Sequence, residues 1–259
     1  TEWLAETSFN FASIGVPVPS INGVLAASFT TLGVPQQPVR SYSGELTGEY
    51  YDARDYALNM SLASRLSEKF SFGISAKYIS QRIWSEKATG FGLDVGVSYL
   101  TPLDGLTMGS SISNFGGDIS MSGKNLYDII DPDVDNEGVN DIPVVYETDE
   151  FPLPQIFRFG LAYNYDKNEF YDFTTSVDLV HPTGSTESMN AGLEVGFKKI
   201  FYLRGGYQSL FERDHVNGLT AGVGIKYTLR TRETFAFDYA LSDWGILGKA
   251  HRISMSITL

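Results

Sequence analysis

Apolar and polar residues alternate with a period of two through most of the chain. In 219–229 (LTAGVGIKYTL), Leu219, Ala221, Val223, Ile225, Tyr227 and Leu229 share one face, and Thr220, Gly222, Gly224, Lys226 and Thr228 the other. In 189–198, Met189, Ala191, Leu193, Val195 and Phe197 oppose Asn190, Gly192, Glu194, Gly196 and Lys198. In 91–99, Phe91, Leu93, Val95, Val97 and Tyr99 oppose Gly92, Asp94, Gly96 and Ser98. The C-terminal stretch sets Ile253, Met255, Ile257 and Leu259 against Arg252, Ser254, Ser256 and Thr258. This is strand periodicity, and no comparable helical period competes with it.

The pattern predicts thirteen strands: 1–11, 22–32, 54–67, 70–84, 88–100, 106–114, 155–166, 170–181, 187–198, 201–210, 217–229, 234–242 and 249–259. Many exceed the ~5–6 residues of an ordinary soluble strand and match the ~9–11 that a tilted membrane strand needs. No apolar run approaches the ~18 residues of a transmembrane helix, which excludes a helical membrane protein but not a barrel. The expected fold is all-β: one antiparallel transmembrane β-barrel domain over 1–259.

The connections sort by parity. One set (12–21, 68–69, 101–105, 167–169, 199–200, 230–233) is mostly tight. The other (33–53, 85–87, 115–154, 182–186, 211–216, 243–248) holds both very long connections. Short turns on one rim and long loops on the other are the outer-membrane pattern, with the short rim periplasmic and 115–154 a long extracellular loop. An even count is needed for both ends to reach the periplasm. Fourteen strands are therefore expected in the complete protein, with a first strand before Thr1. No signal peptide is seen.

Composition narrows the function. The 259 residues contain no Cys, so thiol catalysis and zinc–thiolate sites are out. A net charge of −12 argues against a nucleic-acid partner, which needs a basic face. The apolar faces would meet outer-membrane lipid and lipopolysaccharide. Trp84, Tyr99, Phe201, Tyr227 and Tyr239 suit interfacial girdles. The opposite faces carry Arg65, Lys77, Asp94, Arg158, Asp178, Glu194, Arg204, Lys226, Asp238 and Arg252, expected as lumen charges that pair, hold water or select a solute.

No catalytic set emerges. His181, His215 and His251 fall near the long-loop rim with no recognisable nucleophile spacing, so no enzyme and no bound cofactor are expected. The stretch DPDVDNEGVND (131–141) resembles a calcium loop. Registered from Asp131, its sixth position is Asn136 and its twelfth Ile142. Registered from Asp133, Gly138 falls at the sixth but Val144 at the twelfth. Neither register supplies the closing bidentate Glu. Asp131, Asp133, Asp135, Glu137 and Asp141 are at most a loose calcium site, or simply a solvated acidic tip. Exposed aromatics of the outer loops, Tyr146, Phe151, Phe211 and Trp244, are the candidate contacts for a protein partner.

Several blocks in order carry a resemblance. They are TEWLAETSFNFASIGVPVP (1–19), LSEKFSFGISAKYISQRIW (66–84), SISNFGGDISMSG (111–123), ETDEFPLPQIFRFGLA (147–162), HPTGSTESMNAGLEVGF (181–197), LRGGYQSLF (203–211) and DYALSDWGILGKAHRISMSI (238–257). Over essentially its whole length the chain resembles the PorV/PorQ family of outer-membrane proteins, relatives of the FadL-type fourteen-strand barrels. Family members usually carry an NPAG-like Gly-rich region before the TEWL-like segment, and none is present here. The resemblance implies a type IX secretion accessory barrel. Such a protein binds the translocon and the C-terminal signal domains of cargo and delivers cargo to a surface attachment complex. A FadL-like carrier of hydrophobic molecules and a structural barrel of a surface assembly are the alternatives.

Overall fold

The computed structural model describes residues 7–130, 142–166, 168–212, 218–229 and 233–259. In chain order its strands are β1 (Ser8–Val18), β2 (Gly23–Arg40), β3 (Leu46–Arg65), β4 (Phe70–Ile83), β5 (Glu86–Leu100) and β6 (Leu106–Gly116). Then come β7 (Tyr127–Ile130), β8 (Ile142–Val145), β9 (Ile156–Tyr165), β10 (Tyr171–Pro182), β11 (Ser188–Phe197) and β12 (Phe201–Leu210). The last are β13 (Leu219–Thr228), β14 (Thr234–Asp243) and β15 (Lys249–Thr258). Thirteen make one antiparallel sheet, each strand paired with the next in sequence, while β7 and β8 form a separate hairpin inserted between β6 and β9. β1 and β15 bound the sheet, and no pairing joins them among the described residues.

Exposure along the strands is inverted relative to a water-soluble protein. On β5, Phe91 is 74% exposed while its polar-face neighbour Asp94 is half-buried. Met255 on β15 is 78% exposed and Leu203 on β12 64%. Among the described residues only Ala88, Ile119, Leu153 and Ala250 are buried apolar residues. A sheet that turns its aliphatic face outward is stable only where the solvent is apolar. Its backbone groups are paired strand to strand, as a bilayer requires. The protein is a transmembrane β-barrel wall with a polar lumen.

The outer face carries its aromatics near the strand ends. Tyr165 packs tilted against Phe173, ring centres 6.4 Å apart, and Tyr171 against Phe197 at 5.4 Å. Lys198 lies 5.4 Å over the Phe197 ring, at the rim of short connections. Cation and ring together suit the interface between hydrocarbon and water.

Three elements differ from the periodicity reading. The first strand runs over Ser8–Val18, and the turn falls at Pro19–Ile21. Pro17 reads as a break, yet it sits opposite Val24 within the pairing of β1 with β2. The supposed loop 33–53 is a ribbon: β2 and β3 extend to 18 and 20 residues, their pairing running out to Arg40 opposite Leu46. Pro35 and Pro38 fall where the register shifts, between Val34 and Gln37 and between Pro38 and Arg40. Prolines are tolerated at such bulges. The connection 115–154 begins inside β6, and its two stems fold back onto the lumen face of the barrel.

Candidate functional site

The candidate site is the lumen and the insertion that enters it. By cross-strand register all ten charged residues named from the sequence fall on one face. Lys77 opposes Gly92, Asp94 opposes Ser75, Arg158 opposes Ser111, and Asp178 opposes Gly160. Glu194 opposes Arg204, Lys226 opposes Ala236, Asp238 opposes Gly224, Arg252 opposes Ala240, and Arg65 opposes Ser71 at the short-connection rim.

Glycines opposite charges are a recurring device on this face. The Lys77 stem lies across Gly92, the Asp178 carboxylate against Gly160, and the Asp238 carboxylate against Gly224. A β-carbon at Gly160 or Gly224 would overlap the carboxylate. The missing side chain lets each charged group lie flat along the wall.

Two ionic groups organise the wall. Lys77 donates to Asp94 Oδ1 at 2.8 Å and to Asn114 Oδ1 at 2.6 Å. The Asn114 N–H donates to Asp94 Oδ1 at 2.7 Å, and its side-chain amide donates to the Pro154 carbonyl at 2.7 Å. Asn114 has φ +62°, at the shift of register between Leu93 and Val95. Asn is among the residues that tolerate this left-handed conformation. Across the barrel, Arg204 is clamped between Glu194 and Asp238, with Nε 2.5 Å from Glu194 Oε2.

The stems of the insertion pack against β4 and β5 on the lumen side. Residues 119 and 151 pair through both backbone bonds at 2.9 Å, and 87 and 122 pair likewise. Ile119, Leu153 and Ala88 form a buried cluster, with Ile79 and Met121 against it. Ile119 covers Gly90 and Leu153 covers Gly92. The apolar core of this barrel is therefore inside its mouth, where the insertion meets the wall. Below it lies a cavity of about 690 Å³ walled by small residues such as Ser61, Gly73, Ser75 and Gly96, with Asp94, Arg158 and Asp178. Arg158 and Asp178 have no ion-pair partner among the described residues.

The β7–β8 hairpin stands beyond the stems. Tyr127, Ile129, Ile142 and Val145 on it are all exposed. The Tyr146 hydroxyl donates to Asp128 at 3.0 Å and closes its base. This bond to a carboxylate raises the phenol above its ordinary range. Phe151 joins the stem through its backbone, Phe211 is 88% exposed, and Trp244 is half-buried at the Gly245–Leu247 turn. All four lie on the rim of long connections. The calcium candidates Asp131, Asp133, Asp135, Glu137 and Asp141, and also His215, lie outside the described residues. His181 Nδ1 is 3.0 Å from Glu187 and His251 Nδ1 2.7 Å from the Tyr239 hydroxyl. Sequence reasoning missed Asp172, Tyr202 and Asn164 on the lumen face. The signal was present for Asp172, which is in phase with Thr174, Ser176 and Asp178.

The family model of the type IX secretion system membrane protein PorP/SprF matches residues 47–257. The chain belongs to this family. The membership shares type IX secretion and the outer-membrane barrel with the resemblance read from the sequence, but the matching family is PorP/SprF and not PorV/PorQ. No curated protein matches in sequence. In structure the PorP/SprF-family barrel is similar to a TodX deltaS2S3 mutant, a monoaromatic hydrocarbon channel. The TM-score is 0.56 at 12% identity, covering 96% of this chain and 81% of that one. It is also similar to the Pseudomonas putida toluene transporter TodX, with TM-score 0.53 at 11% identity, covering 97% and 85%. These likenesses establish the fold. Together with the family they make this a bacterial outer-membrane β-barrel of the type IX secretion system.

Proposed function

We propose that this barrel is an accessory component of type IX secretion that binds protein partners through the rim bearing its long connections. That rim would face the cell exterior and the short turns the periplasm. The partners would be the translocon and the C-terminal domains of cargo, with delivery to an attachment complex as in a PorV-type shuttle. The observation that carries this reading is the β7–β8 hairpin. Two strands alone are marginally stable in water, and this pair exposes Tyr127, Ile129, Ile142 and Val145. An exposed apolar surface of this kind marks an interaction site, and its free strand edges suit addition of a partner strand. The lumen enters this mechanism as scaffold, since the insertion stems grip its wall.

The test is co-purification from native membranes of the protein and of an Ile129→Asp, Val145→Asp variant. The wild type is expected to recover secretion-system proteins and the variant to lose them, with barrel folding unchanged. Equal recovery by both overturns the hairpin's role.

A second reading, a carrier of hydrophobic molecules, draws on the TodX-like fold and the 690 Å³ cavity. That wall combines serines and the charges Asp94, Arg158 and Asp178 with apolar residues such as Leu62, Ile74, Val95 and Leu161. Uptake of toluene by vesicles holding the protein would favour this reading over the first.

A further inference from the structure

We infer that an outward-facing row of three cations, Arg54, Arg82 and Lys87, binds the phosphates of anionic membrane lipids. Arg54 on β3 lies directly opposite Arg82 on β4, and Arg82 lies opposite Lys87 on β5. All three share the face of Tyr78 and Phe91, which looks away from the lumen. With strands ~4.8 Å apart, the row is about 10 Å wide. In a chain of net charge −12 it is a local reversal of sign. From β6 to β14 the outward face of the barrel strands carries no Lys or Arg. The height of the row sets its partner. Toward the hydrocarbon, the next outward rows carry Tyr56, then Tyr78 and Phe91, then Met60 and Leu93. Tyr56 stacks on Phe29 at 6.0 Å, and Tyr78 packs against Phe91 at 5.3 Å. Aromatic rings of this kind occupy the interface, so cations one step farther out stand at the head groups. The β4–β5 hairpin also ends at this level, with β4 finishing at Ile83 and β5 starting at Glu86.

Like charges directly opposite one another repel, and the wall offsets only part of this. Asp52 is the single outward-facing carboxylate on β3, β4 and β5. Its Oδ2 lies 2.6 Å from Arg82 Nη2 and 3.8 Å from Arg54 Nη2. Lys87 has no acidic partner among the described residues. Three cations against one carboxylate leave an excess of two positive charges. The side chains of Arg54 and Arg82 stay 49% and 40% exposed. A guanidinium carries five N–H donors, so Asp52 can hold both arginines without filling either. It is a positioning residue that gathers two planar forks, and such forks match phosphate oxygens. A lipid phosphate supplies both the acceptor oxygens and the missing negative charge. The inference holds whichever rim faces the cell exterior, because lipid phosphates line both membrane surfaces.

The test is reconstitution in vesicles of equal phosphatidylglycerol and phosphatidylcholine. Mild detergent extraction and native mass spectrometry then count the lipids that stay bound. The wild type is expected to retain phosphatidylglycerol about tenfold over phosphatidylcholine. Arg54→Gln combined with Arg82→Gln and Lys87→Gln should bring the ratio close to one, with unchanged heat-modifiable migration as the check on folding. Lys198→Gln with Lys199→Gln, at the opposite rim, should keep the wild-type ratio. Equal retention of the two lipids by the wild type overturns the proposal without recourse to any variant. So does a ratio that survives the triple substitution, or one that falls as far in the Lys198, Lys199 variant. Inorganic phosphate should lower the ratio no more than sodium chloride of equal ionic strength. Displacement by phosphate alone would assign the row to a free anion and overturn the lipid as its occupant.

Discussion

Ile119 fills the space that a side chain on Gly90 would need. A β-carbon at Gly90 would stand closer to Ile119 Cγ2 than van der Waals radii allow. The insertion is thereby seated on the barrel wall by a missing methyl group. The same stem is held by backbone pairing of Ile119 with Phe151 and by the Asn114 amide on the Pro154 carbonyl.

Gly90→Ala is expected to unseat the stem at a cost of about 1–3 kcal/mol, the range for overpacking a tight site. Limited proteolysis and hydrogen exchange over 117–126 read the effect. The Gly90→Ala, Ile119→Ala pair should recover part of the protection, because the two residues contact each other. Unchanged protection in the single variant would show that the stem is not seated there.

Lys77, Asp94 and Asn114 form one network, in which Lys77 is 13% and Asp94 28% exposed. Lys77→Met leaves Asp94 and Asn114 Oδ1 without their cation. A loss of about 1–3 kcal/mol in urea unfolding is expected. Removing both charges, as Lys77→Met with Asp94→Asn, should cost less than the sum of the single changes. Strict additivity would mean that the pair is not coupled.

The bond from Tyr146 to Asp128 predicts a titration. The phenol is raised, first by this hydrogen bond and then by the carboxylate's charge. A raised group contributes its stabilisation below the unfolded value, ~10 for Tyr, and loses it as pH rises through the folded value. The hairpin base should therefore hold through neutral and mildly alkaline pH and loosen only above the ordinary phenol range. Ultraviolet difference titration should show a late phenol in the wild type that returns to the ordinary range in Asp128→Asn.

Val223 lies near the middle of β13 on the apolar face and is 50% exposed. Val223→Lys would place a charge in the hydrocarbon, at about 2–4 kcal/mol. Ser254→Lys, on the opposite face of β15, should cost far less because it faces the polar lumen. Folding yields into lipid vesicles compare the two. Equal yields would contradict the assignment of the faces.

The sequence by itself determined the strands of this protein and their two faces. Alternation in segments such as 91–99 and 219–228 follows from the two-residue repeat of an extended chain. It needs no knowledge of neighbours, so it also placed ten charges on one wall. What it could not supply was what each residue faces. Pro35 is compatible with a strand only because β2 shifts register there. The 33–53 segment becomes a ribbon through pairing of its own two halves, from Val34 opposite Ala53 to Arg40 opposite Leu46. The tertiary structure alone decided that Gly92, Gly160, Gly196 and Gly224 lie opposite Lys77, Asp178, Asp172 and Asp238. It likewise decided that the stems of the long insertion turn inward onto β5. Register and close approach are relations between strands, set by the summed packing of the whole wall, and no local pattern in one strand encodes them.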